Sequence, residues 1–171
     1  MYPGGTVVRV KPTVSATAYD ANDVLFLTTE IPNAVSNRGG VSRLVGISII
    51  DQADQGKNVT LLFMENQVNL IGAISPGSSG GVSITDDNVE AANILAALEV
   101  DFSANNFTDL VTSRMCTLTN SNSTSANGNL PIMLKAAPNS RSVYFAGIAT
   151  EATDLAAVDD LVFVFHIEYI D

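Results

Sequence analysis

Leu161-Val162-Phe163-Val164-Phe165-His166-Ile167-Glu168-Tyr169 is the stretch whose reading decides the fold. Side chains alternate across a β-strand, so Leu161, Phe163, Phe165, Ile167 and Tyr169 fall on one face. Val162 and Val164 share the other face with His166 and Glu168. The pattern predicts a strand buried on both faces at its start and half exposed toward its end.

Working outward, the same kind of signal recurs along the chain. Thr6–Val10 and Thr13–Tyr19 are short β-branched runs broken by Pro12, which points to an extended arm or an edge strand. Val24–Thr29 and Val41–Ile50 are longer candidates. Val59–Met64 is a near-continuous apolar run, as in a strand buried on both faces. The Gln52–Asn58 connection, holding Gly56, suits a hairpin between Val41–Ile50 and Val59–Met64. Leu110–Thr119, Leu130–Ala136 and Ser142–Ala149 complete the β pattern, and the polar Asn120–Asn129 stretch reads as a loop tip. One segment, Asp87–Leu98, has helical spacing: Ala91, Ile94, Leu95 and Leu98 fall on one face, and Asp87 with Glu90 resembles a capping box. The expected class is all-β, mainly β with one short helix, as a jelly-roll-like β-sandwich. Residues 1–18 read as an extended N-terminal arm and residues 19–171 as a single β-sandwich domain.

Composition narrows the function. The 171 residues include 8 Lys+Arg against 18 Asp+Glu, a net charge of -10, 1 His, 1 Cys and no Trp. Hydrophobic residues make up 46%, enough for a core, while charged ones are only 15%, below the roughly 25% usual in soluble domains. Cys116 alone makes no internal disulfide, and zinc spacings are absent. So few scattered cations argue against nucleic acid as a partner. No apolar run is long enough for a membrane helix. Met1–Thr6 lacks the basic and apolar segments of a signal peptide, so the expectation is folding in a reducing compartment. The triplets beginning at Asn58, Asn106 and Asn122 then read as chance matches to a glycosylation signal.

Candidate chemistry is sparse. Gly77-Ser78-Ser79-Gly80-Gly81 matches a G-x-S-x-G nucleophile pattern, but Val82–Thr85 continues as extended chain where a helix is required. The order Ser79, Asp159 or Asp160, His166 fits an α/β-hydrolase, which the β-rich pattern does not. His166 has Glu168 two residues away to hold a charge, yet no nucleophile beside it, so it reads as a strand residue. Asp51/Asp54, Asp86/Asp87 and Asp159/Asp160 match no calcium loop and read as turns and a helix start. Cys116 reads as a small buried hydrophobe. Arg38-Gly39-Gly40-Val41-Ser42-Arg43 reads as a turn before a long strand, or as an anchor on an acidic partner. No catalytic, cofactor-binding or metal residue is assigned, and no cofactor or enzymatic activity is expected.

Several softer patterns together carry a resemblance. They are Ala18-Tyr19-Asp20-Ala21-Asn22-Asp23-Val24, the stretch Pro32 to Leu44, and Ile47-Ser48-Ile49-Ile50-Asp51-Gln52-Ala53. The Val59 to Phe63 strand, Ala92 to Leu95, Val143-Tyr144-Phe145-Ala146-Gly147-Ile148, Asp160-Leu161-Val162-Phe163 and the final Asp171 follow. In this layout the chain resembles small structural proteins in the virions of tailed bacteriophages, especially marine and cyanobacterial phages. The resemblance implies a capsid decoration, or cement, protein on the capsid exterior, assembled in the bacterial host cytoplasm. Its partners would be the major capsid protein and copies of itself, as a homotrimer. An acidic surface suits a protein outside the packaged DNA. An arm with Pro3, Gly4, Gly5 and Pro12 would lie across a neighbouring subunit and pair with its sheet edge. The competing readings are a neck or tail component, a carbohydrate-binding β-sandwich, disfavoured by no Trp and 4 Tyr, and a serine hydrolase using Ser79 and His166.

Overall fold

The computed structural model describes residues 4–14, 18–70, 86–102, 107–119, 129–155, 157 and 160–170. Among the described residues, twelve strands and one helix follow in order: β1 Gly5–Val10, β2 Ala18–Tyr19, β3 Val24–Ile31, β4 Val41–Asp51, β5 Val59–Met64, α1 Asp86–Ala92, β6 Ile94–Val100, β7 Phe107–Asp109, β8 Arg114–Thr119, β9 Ile132–Lys135, β10 Val143–Ala149, β11 Thr153–Asp154 and β12 Leu161–Tyr169. They form an all-β sandwich. The first sheet runs β1-β12-β4-β8-β7, with β9 also on β4, and the second runs β3-β10-β5-β6. Every pairing is antiparallel, and the partners nest: β1 with β12, β2 with β11, β3 with β10, β4 with β8 and β9, β5 with β6.

The alternation in β12 is what closes the sandwich. Phe163 and Phe165 point inward with no exposure, against Phe26, Phe63 and Phe145 from the second sheet. Phe145 sits between them, with ring centroids 4.9 Å from Phe165, 5.2 Å from Phe163 and 5.1 Å from Phe26 in edge-on geometry. Such aromatic pairs add about 0.5–1.5 kcal/mol beyond their burial. Gly147 leaves room for this cluster: a Cβ there would stand 2.4 Å from the Phe26 ring.

The two outer faces differ. Residues 65–70 and α1 fold back over the second sheet, where Leu62, Met64, Leu70, Ala92 and Ala146 form a smaller buried cluster. Thr28 Oγ1 donates to Val68 O (2.6 Å) and Asn66 Nδ2 to Ala91 O (2.9 Å), fastening that cover. On the first sheet's outer face Val7, Val45 and Met133 are exposed.

Four expectations are corrected. Asp87–Leu98 is not one helix: α1 ends at Ala92 and β6 begins at Ile94. Asn93 makes the switch at φ 50°, and Ile94–Val100 then pairs with β5. Because α1 starts at Asp86, Asp87 lies inside the first turn rather than capping it, and both carboxylates favour the helix dipole there. The Gln52–Asn58 connection is no hairpin, since β4 lies in the first sheet and β5 in the second. Leu110–Thr119 is interrupted: Leu110 N donates to Ser113 O (2.8 Å), closing a turn between β7 and β8. Finally, residues 5–10 of the expected arm are the edge strand of this chain's own sheet, hydrogen-bonded to β12. The alternation that leaves Val8 buried fills the sheet's inner face, so the segment gains its burial within its own subunit.

Candidate functional site

Sequence dictates one polar end of the sandwich. β4 ends on Asp51, opposite Leu161 at the start of β12 and Arg114 at the start of β8. The 52–58 crossing then carries the chain to β5, whose first residue Val59 faces Ala149 and Val100. Both sheets therefore present strand ends and loops here.

Asp51 organises the crossing. It is 1% exposed, and its two carboxylate oxygens accept Ala53 N–H (3.1 Å) and Gly56 N–H (2.6 Å). A buried carboxylate needs such donors, and each charge-assisted bond is stronger than a neutral one. Gly56 takes φ +62°, and a Cβ on it would lie 2.0 Å from Arg114 Nη1. Arg114 is thereby free to donate from Nε to Asp54 (2.6 Å) and to stack 4.5 Å over the Phe107 ring. Asn58 Oδ1 accepts Phe102 N–H (2.8 Å), and Asn58 N–H donates to Glu151 (3.2 Å). Asp160 Oδ2 accepts Ala157 N–H (2.6 Å) just before β12.

Beside this crossing lies a shallow depression of about 330 Å³, lined in part by Tyr19, Asp20, Gln55, Lys57 and Thr153. Two of its polar groups are committed to the fold. Tyr19 OH donates to Leu25 O (3.0 Å) and Thr153 Oγ1 to Glu151 O (3.1 Å). Asp23, adjoining it in sequence, accepts Asp20 N–H through Oδ2 (2.9 Å), while its buried Oδ1 has no hydrogen-bond partner among the described residues. This end fixes loops around a shallow depression, which half-buried Lys57 also lines.

The residues singled out in the sequence are scattered. His166 stands half-buried on the outer face of the first sheet, its ring about 3.5 Å from where a Gly46 Cβ would be. Glu168, expected to hold a charge on it, instead pairs with Arg43 at 3.8 Å. Cys116 is fully buried, and burial, reinforced by the Asp101 charge, pushes its thiol up to about 11. Arg38–Arg43 is the turn into β4: Gly40 N–H donates to Asn37 O (3.0 Å) and Ser42 Oγ to Ala34 O (2.6 Å). Asp51, Asp54 and Asp160 serve the crossing and the turn before β12. Among the described residues no group of His, Cys, Asp and Glu is placed to hold a metal ion. Ser79, Asp159 and most of Asn120–Asn129 lie outside the described residues.

One polar cluster was missed in the sequence. Glu65 is buried directly after β5, held by the Asn93 side chain and by Lys135 Nζ at 3.3 Å. The available signal was a carboxylate abutting a strand buried on both faces, a position that demands partners.

No protein-family model matches the chain, and comparison with curated proteins gives no match.

Proposed function

We propose that the chain is a non-enzymatic structural component of a tailed-phage virion, a capsid decoration protein that binds between capsomers and stabilises the head. The observation that carries this reading is the asymmetry of the two sheets. Its own residues 65–70 and α1 cover part of the second sheet, leaving Leu27 exposed on β3, whereas Val7, Val45 and Met133 on the first stay in solvent. A face of that kind is suited to being covered by a neighbour. The strand orders β1-β12-β4-β8 and β3-β10-β5-β6, with nested pairing, support reading the sandwich as a jelly roll, an architecture used in viral capsids and lectins. The net charge of -10 suits a place outside the genome. Quantitative gels of purified particles test the reading. Copy numbers comparable with the major capsid protein are expected, whereas about a dozen copies or fewer per particle would overturn the decoration role in favour of a neck or tail position.

A further inference from the structure

The edge of β1, which pairs with no other strand but β12 among the described residues, carries an inference that goes beyond the virion reading and does not depend on it. Tyr169 N–H donates to Gly4 O (2.8 Å), which sets the hydrogen-bond parity of the β1–β12 pair. In an antiparallel ladder, hydrogen-bonded pairs alternate with pairs whose N–H and C=O groups point away. With Gly5 opposite Glu168 and Val7 opposite His166, the groups of Gly5, Val7 and Arg9 face outward, off the sheet. All three residues are exposed, Val7 at 62%. No proline blocks the edge between Gly5 and Val10, and its one charge, Arg9, points to the outer face.

We propose that two copies of this chain pair antiparallel through β1, with Val7 on the two-fold axis. The register is self-complementary. Val7 meets Val7 of the second copy, covering the most exposed apolar side chain in the strands. Arg9 meets the second copy's Gly5, which has no side chain to oppose it. One strand further, in the same row, stands the second copy's Glu168, since Gly5 and Glu168 are Cα partners. Two strand spacings are about 10 Å, within the combined reach of an arginine and a glutamate. Among the described residues, Glu168 pairs in its own subunit with Arg43, at 3.8 Å. Any other register of the outward groups loses either the Val7 contact or the Arg9–Gly5 fit.

The test uses sedimentation equilibrium of the purified chain from about 1 to 200 µM, concentrations that bracket affinities typical of weak self-association. The expected mass is that of two 17.9 kDa chains. Val7→Pro removes only an outward N–H, so the β1–β12 ladder and the melting temperature are retained while the dimer is lost. Arg9→Glu turns the Arg9–Glu168 attraction into repulsion at both symmetry-related sites, so the dissociation constant rises about tenfold. Val7→Cys cross-links under mild oxidation, because Cα atoms of a hydrogen-bonded pair lie about 5.5 Å apart, within disulfide reach. Arg9→Cys does not, its copies lying about 13 Å apart along the strands. A monomer throughout the range, a trimer, or cross-linking of Arg9→Cys equal to that of Val7→Cys overturns the proposal. Each of those outcomes leaves the particle copy number, and so the virion reading, to be decided separately.

Discussion

Asp51 and Asp54 sit three residues apart in the same loop, with the same charge, and are expected to differ sharply on neutralisation. Asp51 is 1% exposed and uses separate oxygens for Ala53 N–H and Gly56 N–H. Asp51→Asn keeps the shape but leaves one acceptor oxygen, so the amide NH₂ faces a backbone N–H. One charge-assisted bond is lost and the other becomes neutral. Bonds to charged groups contribute about 1.5–3 kcal/mol each, and water reaches half-buried Ala53 and Gly56 in part, so the expected loss is about 2–4 kcal/mol. In Asp54→Asn the amide oxygen still accepts from Arg114 Nε. The pair is also 22% and 35% exposed, and ion pairs of that kind contribute about 0.2–1 kcal/mol. Urea unfolding at neutral pH, with unchanged m-values, measures both losses. For a chain of this size the Asp51 variant should melt about 5–15 °C lower. If Asp54→Asn costs as much as Asp51→Asn, or if Asp51→Asn costs under about 1 kcal/mol, the assignment of the crossing to Asp51 is refuted.

Three further outcomes follow from the geometry. The Cys116 thiol rises from 9.0 to about 11 in the folded chain, so its contribution is intact below pH 9 and is lost as pH rises toward 11. Stability of the native sequence should fall more steeply over that window than that of Cys116→Ala, and equal slopes would contradict the burial of the thiol. Val111, 87% exposed at φ 76°, is a β-branched residue in the left-handed region, so Val111→Gly should stabilise by about 0.5–1 kcal/mol in chemical unfolding; a loss would count against the turn. Gly147→Ala drives a methyl into the Phe26 ring and should cost about 1–3 kcal/mol, whereas Phe145→Ala should cost about 3–5 kcal/mol; calorimetry ranks the two.

What the sequence made legible was parity, and what it hid was partnership. Val59–Met64 and Leu161–Tyr169 appear as strands with the expected bounds, because their alternation or continuous apolarity leaves no other burial. Residues 94–100 satisfy two periods at once: Ile94, Leu95 and Leu98 suit a helix, and Ile94, Ala96, Leu98 and Val100 suit a strand. The choice is made by β5, some thirty residues earlier, and by Asn93, whose side chain reaches Glu65. Neither contact leaves a local trace. The 52–58 loop hides its course for a related reason. Its length and Gly56 fit a hairpin, yet Asp51 turns its carboxylate into the loop and directs the chain across to the other sheet.

The nested pairing explains why the candidate surface had to be read from structure. When the first strand pairs with the last, the innermost pair β5–β6 has the intervening residues of its own connection to spare, and part of that connection, residues 65–70 and α1, folds over the outer face of the second sheet. The outermost pair, β1–β12, has no such connection between close neighbours. Its outer face keeps Val7, and its outer edge keeps the backbone groups of Gly5, Val7 and Arg9. In the sequence this segment reads only as a short β-branched run with one arginine. Its meaning comes from topology: the same strand that completes the core through Val8 has no strand on its other side among the described residues. A pairing through that edge extends the sheet without disturbing the aromatic cluster beneath it, so association and folding can be separated by substitutions at Val7 and Phe145.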